Sequence, residues 1–120
     1  MASGIDECAD DVTDDERWLV IHGRRWRRTD PALPEDLAAR LRSHLGRARS
    51  AVRTTTRAGD ADATADARRR VGLATSGLGE RGPRWWEDDV DARIARALAA
   101  VEELDRDAPP RADEGPGVNA

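Results

Sequence analysis

Apolar residues along this chain follow two rhythms, and the change from one to the other divides it. Trp18-Leu19-Val20-Ile21 is an unbroken apolar run that stops at His22-Gly23. A glycine there supplies the positive φ of a tight turn, which makes Arg24 to Arg28 the returning strand of a hairpin over residues 18–28. A two-residue turn sets Leu19 opposite Trp26 and Trp18 opposite Arg27. One face is then apolar, and the other can stack guanidinium on indole. An isolated hairpin is marginal in water, so this one is expected to lie against helices.

Beyond Pro34 the period becomes helical. Leu37, Leu41, Leu45, Ala48 and Val52 follow at intervals of 4, 4, 3 and 4, one stripe of a helix over 34–58. Pro34 suits the first helical position, and Glu35 and Asp36 complement the helix dipole. Gly59-Asp60 breaks the pattern, and Asp60 or Asp62 can cap a second helix over 61–78, whose stripe is Ala67, Val71, Ala74 and Leu78. The short loop between helices of comparable span predicts an antiparallel pair. Glu80 to Trp86 reads as a connector, followed by a third helix over 86–107 with a seam of Trp86, Val90, Ile94, Ala97, Val101 and Leu104.

The expected fold class is therefore mostly α with a short N-terminal β-hairpin, a small α+β domain over 17–107. It holds an antiparallel helix pair and a third, C-terminal helix. Residues 1–16 are acidic, and 108–120 are rich in Pro, Gly and charge; both are expected to be disordered tails.

Composition narrows the chemistry. With four Trp and no Phe or Tyr in 120 residues, the core is thin and self-association is one route to burying more surface. A lone cysteine, Cys8, excludes an internal disulfide and a multi-cysteine metal knuckle and is compatible with a reducing cytoplasm. The first residues lack the basic and apolar regions of a signal peptide, and no apolar run approaches bilayer length. A cytoplasmic protein with no membrane partner is the expectation.

Charge is strongly segregated. All 20 basic residues are arginine. Residues 1–16, 17–86 and 87–120 carry formal charges of −7, +9 and −6, which average to the overall −4. The third helix offsets its own charge, with Asp89 to Arg93 and Glu102 to Arg106 at i,i+4. The first has Arg40, Arg42, Arg47, Arg49, Arg53 and Arg57 and no acid between Leu37 and Gly59. One reading is an electrostatic footprint for nucleic acid, with tryptophan available to stack on unpaired bases. The other is a solvated face written in arginine by the codon bias of a GC-rich genome.

Other motifs resolve into structure. Gly77-Leu-Gly-Glu-Arg-Gly82 matches G-x-G-x-x-G as a string, but it follows a helix and runs into Pro83, so it reads as a helix cap and turn. A weaker reading has its glycine amides, with Arg81 and Arg84, holding a phosphate. His22 reads as a turn residue and His44 as half-buried packing, with no carboxylate or cysteine at metal-ligand spacing. Trp85 either packs in the core or lies exposed at a partner site.

The pattern Gly23-Arg24-Arg25-Trp26-Arg27, Thr29-Asp30-Pro31, Pro34, Arg47 to Val52, Arg68 to Ala74, Leu78-Gly79-Glu80-Arg81-Gly82 and Trp85-Trp86 resembles a family of small bacterial proteins of uncharacterised activity. Some of its members carry the label "biopolymer transporter Tol". The likeness covers about residues 17–86. It implies which residues form a shared unit and implies no catalytic residue or ligand.

Together these features point to a noncatalytic binding module for an anionic partner, nucleic acid first or an acidic protein. Its site residues would be Arg24, Arg25, Trp26, Arg27, Arg28, Arg81, Arg84 and Trp85, with no cofactor or metal. The alternative is a protein-interaction module or homodimer using the apolar seam of the third helix. An enzyme acting on an anionic small molecule stands behind both.

Overall fold

A computed structural model of the chain describes residues 14–109, with side chains from residue 16 onward. The expectations for 1–13 and 110–120 lie outside the described residues. The hairpin is built as the turn chemistry requires: β1 (Trp18–Ile21) pairs antiparallel with β2 (Arg24–Arg27), Leu19 opposite Trp26 and Trp18 opposite Arg27. His22 and Gly23 both take positive φ, 52° and 78°, the conformation of a two-residue turn matched to strand twist. Asp14–Arg17, three of them assigned from sequence to a disordered tail, form one helical turn leading into β1.

Three helices follow: α1 (Glu35–Ala58), α2 (Ala61–Gly77) and α3 (Val90–Asp107). Pro34 stands one residue outside α1 rather than in its first turn, with ψ 144° and its carbonyl accepting from the Ala38 amide at 3.0 Å. Gly59, at φ 71°, ends α1 and returns the Gly59 and Asp60 amides to the carbonyls of Thr56 and Thr55 at 3.1 and 3.0 Å. Asp60 then caps α2 by accepting from the Ala63 amide at 3.0 Å.

The core lies where the three helices meet. Leu37, Leu41 and Leu45 of α1 face Ala74 and Leu78 at the end of α2 and Ala97, Ala100, Val101 and Leu104 of α3. Small residues let the helices approach closely: a Cβ added at Gly77 would meet Ala100 Cβ at 3.0 Å and Leu41 Cδ2 at 3.1 Å. The seam of α3 is therefore filled from inside the fold.

Two expectations are corrected. The third helix does not begin at residue 86: Trp85–Glu87 form a single 3-10 turn, and α3 starts at Val90. Asp89 decides this, because its side chain accepts from the Ala92 amide at 2.8 Å and so competes with continuation of the helix. Val90 is left 46% exposed, and the seam starts at Ile94. The hairpin is anchored on the connector between α2 and α3 rather than on a helix face. The Trp85 indole N–H donates to the Arg28 carbonyl at 3.0 Å, the Thr29 hydroxyl to Glu80 Oε2 at 2.6 Å and the Asp30 amide to the Leu78 carbonyl at 2.9 Å. The helix stripes are occupied by one another, and the connector carries the two indoles that a small hairpin can pack on.

Candidate anion-binding groove

Beneath the hairpin, aromatic rings and guanidinium groups form one assembly. Trp86 meets Trp18 and Trp85 edge-on, with ring centres 5.6 and 5.1 Å apart. Arg25 lies over Trp18 at 4.2 Å, Arg17 and Arg27 over Trp86 at 4.9 and 5.8 Å, and Arg93 over Trp85 at 5.2 Å. Arg93 also grips buried Asp30 through two hydrogen bonds, Nε to Oδ2 at 2.9 Å and Nη2 to Oδ1 at 2.7 Å. The Asp30 hydrogen bond holds the Arg93 guanidinium above its ordinary pKa against the opposing effect of burial. This overturns the local pairing of Arg93 with Asp89, which caps α3 instead.

The glycine-rich connector presents acceptors to a cation. Arg27 Nη1 donates to the carbonyls of Gly79, Gly82 and Pro83 at 3.3, 3.0 and 3.2 Å. The amides of Gly79 and Glu80 turn back to the carbonyls of Ser76 and Thr75. The segment is thus a helix cap and turn, with the Gly79 and Glu80 amides engaged inside it. Burial lowers the Arg27 pKa most, with Arg84 adding to that effect and Glu87 opposing it.

Around α3, arginine is mostly matched by carboxylate, although the expected Glu102–Arg106 pair is not formed. Asp105 receives Arg40 and, at 2.7 Å, His44 Nε2. Arg47 Nη2 reaches His44 Nδ1 at 3.0 Å; since arginine only donates, Nδ1 accepts and Nε2 carries the proton toward Asp105. His44 is fully buried and hydrogen-bonded at both nitrogens, rather than half-buried packing. Arg69 binds Asp107 at 2.5 Å, Glu103 at 3.1 Å and Asp66 at 3.3 Å. Arg96 binds Asp88 at 3.0 Å.

On another side of the molecule the pattern reverses. Arg49 and Arg53 of α1, Arg68 of α2 and Arg81 of the connector line a groove of about 480 Å³ whose other walls are Val52, Val71 and Gly72. Among the described residues no acid lines it, and none of the four guanidinium groups has an ion pair or hydrogen bond with a described residue. A second recess of about 210 Å³ shares Arg49, Val71 and Arg81 and extends the groove to Leu19, Trp26, Arg27 and Arg28 on the hairpin. Glu80 is the acid there, and it is engaged by Thr29.

The residues singled out from sequence divide accordingly. Trp26, Arg27, Arg28 and Arg81 come together on this groove. Arg24 lies over Trp26 at 4.9 Å and Arg25 over Trp18, both exposed on the hairpin. Arg84 is outside the groove and pairs with Glu87 at 3.3 Å. Trp85 is 1% exposed and belongs to the core, so its ring is not offered to a partner. Trp26 is 43% exposed. Arg49, Arg53 and Arg68 were missed as site residues. Their signal was the acid-free length of α1, but composition does not say which arginines turn toward the same recess. No protein-family model matches this chain, and neither does any curated protein or solved structure.

Proposed function

We propose that this chain is a noncatalytic binding module for an anionic partner, nucleic acid first, and that the arginine groove is where it binds. The observation that carries this reading is the unequal pairing of arginine: carboxylates meet Arg40, Arg69, Arg93 and Arg96 around α3, while four arginines share a groove with no carboxylate among the described residues. Like charges gathered in one recess repel and oppose folding, an arrangement that an anion relieves. Codon usage can set arginine over lysine, but it does not choose which arginines receive acids. The segments by which the chain resembles the small bacterial family, Arg47 to Val52, Arg68 to Ala74 and Leu78 to Gly82, supply most of the groove lining. The rival reading, association through the α3 seam, draws less support, since Ala97, Val101 and Leu104 of that seam are packed in the core.

The test is fluorescence anisotropy with a labelled random-sequence oligonucleotide, offered as single strand and as duplex at low salt. Arg81→Glu is expected to weaken binding by about tenfold or more, comparable to losing one close charge pair. Arg106→Glu, the same charge change at an exposed position on α3, is expected to leave it unchanged. Absence of binding to either form at low salt refutes the reading.

A further inference from the structure

Resting on that reading, we infer that the groove takes single-stranded nucleic acid, with one unpaired base stacked on Trp26 and the adjoining phosphates on Arg81, Arg49, Arg53 and Arg68. The two recesses share Arg49, Val71 and Arg81 as walls, so the aromatic end and the arginine end are adjacent on one face. Their order across that face is a stacking platform first and a run of cations after it, the arrangement by which proteins track an unpaired strand.

Trp26 is the tryptophan suited to this role. Trp18 and Trp85 each meet Trp86 edge-on, whereas Trp26 has no ring contact with them and is substantially exposed. Arg24, 4.9 Å from its ring centre, steadies the ring on one side. The recesses, about 210 and 480 Å³, are of the size that encloses a small ligand or a nucleotide or two. A duplex keeps its base faces stacked inside and presents phosphates on a broad convex surface. It cannot place a base on Trp26 while its backbone follows a recess of this size.

The full-length chain is titrated with three labelled probes of equal length: a thymidine single strand, its abasic deoxyribose-phosphate counterpart and a matched duplex. The thymidine strand is expected to bind about tenfold more tightly than the abasic strand, the contribution of one stacked base. Trp26→Ala is expected to abolish that difference while leaving abasic affinity in place, and Trp26→Phe to retain most of it. Because Trp26 is partly exposed, circular dichroism of both variants is expected to match the parent. Two phosphates shared among the four arginines give a log–log salt slope of roughly −1.4, at about 0.7 per phosphate on single strands. Duplex binding as tight as the thymidine strand, or an unchanged thymidine affinity in Trp26→Ala, overturns the stacking inference while leaving anion binding intact. Failure of all three probes to bind at low salt overturns the underlying reading as well.

Discussion

Arg40 and Arg49 stand on the same helix about 180° apart, at 100° per residue, and meet opposite surroundings. Arg40 shares Asp105 with His44, on the side where α3 lies. Arg49 faces a groove whose other charged members, among the described residues, are all arginines, with Glu80 in the adjoining recess. The residue type is identical and the helix is continuous, so the difference comes from what tertiary packing brings alongside. One side of α1 holds charge that helps to fix the position of α3. The other holds charge that the described fold leaves without a carboxylate, which is why the groove, rather than arginine content as such, is the candidate site.

The strongest way to break this comparison is to make an uncompensated charge where the fold has none. Asp30→Ala leaves Arg93 partly buried without its carboxylate and removes the acceptor of the Ala32 amide. Losing one member of a buried pair costs about 3–5 kcal/mol, and urea unfolding is expected to show a loss of that order. A loss below about 1 kcal/mol means that water reaches the pair. A smaller contrast separates the two arginine environments. Arg69→Gln, which dismantles a network with Asp66, Glu103 and Asp107, is expected to cost about 0.5–1 kcal/mol in low salt. Arg53→Gln, which relieves repulsion in the groove, is expected to cost nothing or to stabilise slightly. Equal losses at both positions would erase the distinction between paired and unpaired surfaces, and added salt should shrink the gap.

The smallest effect is in acid. Hydrogen bonds from Arg69, reinforced by Arg70, hold the Asp66 carboxyl below its ordinary value of 3.8. A carboxylate whose pKa is depressed on folding stabilises the fold fully above the unfolded value, and that contribution is lost as pH falls through the lower folded value. Arg69→Gln should therefore differ most from the parent near neutrality and converge on it below about pH 4. Parallel acid limbs in the two proteins would mean that the pairing does not persist in solution.

Much of the fold was legible because it is local. The hairpin register follows from a two-residue turn at His22-Gly23, and the α1–α2 break follows from a glycine with positive φ and the adjacent Asp60 cap. The start of α3 was misread for a local reason as well. Trp86 and Val90 continue a good apolar spacing, but the Asp89 cap outweighs it, and three consecutive acids before Val90 do not show which one caps. The Asp30–Arg93 pair was invisible: its members are 63 residues apart, and Asp89, four residues ahead of Arg93, offered a nearer partner. The groove was half legible, its hairpin end named from sequence and its α1 and α2 arginines left as an undivided basic face.

The sequence by itself determined the hairpin, the apolar stripes of α1 and α2, that of α3 from Ile94 onward, and a basic middle between acidic ends. Each depends on residues within a turn or two of one another, or on composition alone. Only the tertiary structure decided which arginines are satisfied and which are held together without acids. That depends on how each helix is rotated and which residues a third element brings within about 4 Å, distances over which half a turn of rotation exchanges a salt bridge for open solvent.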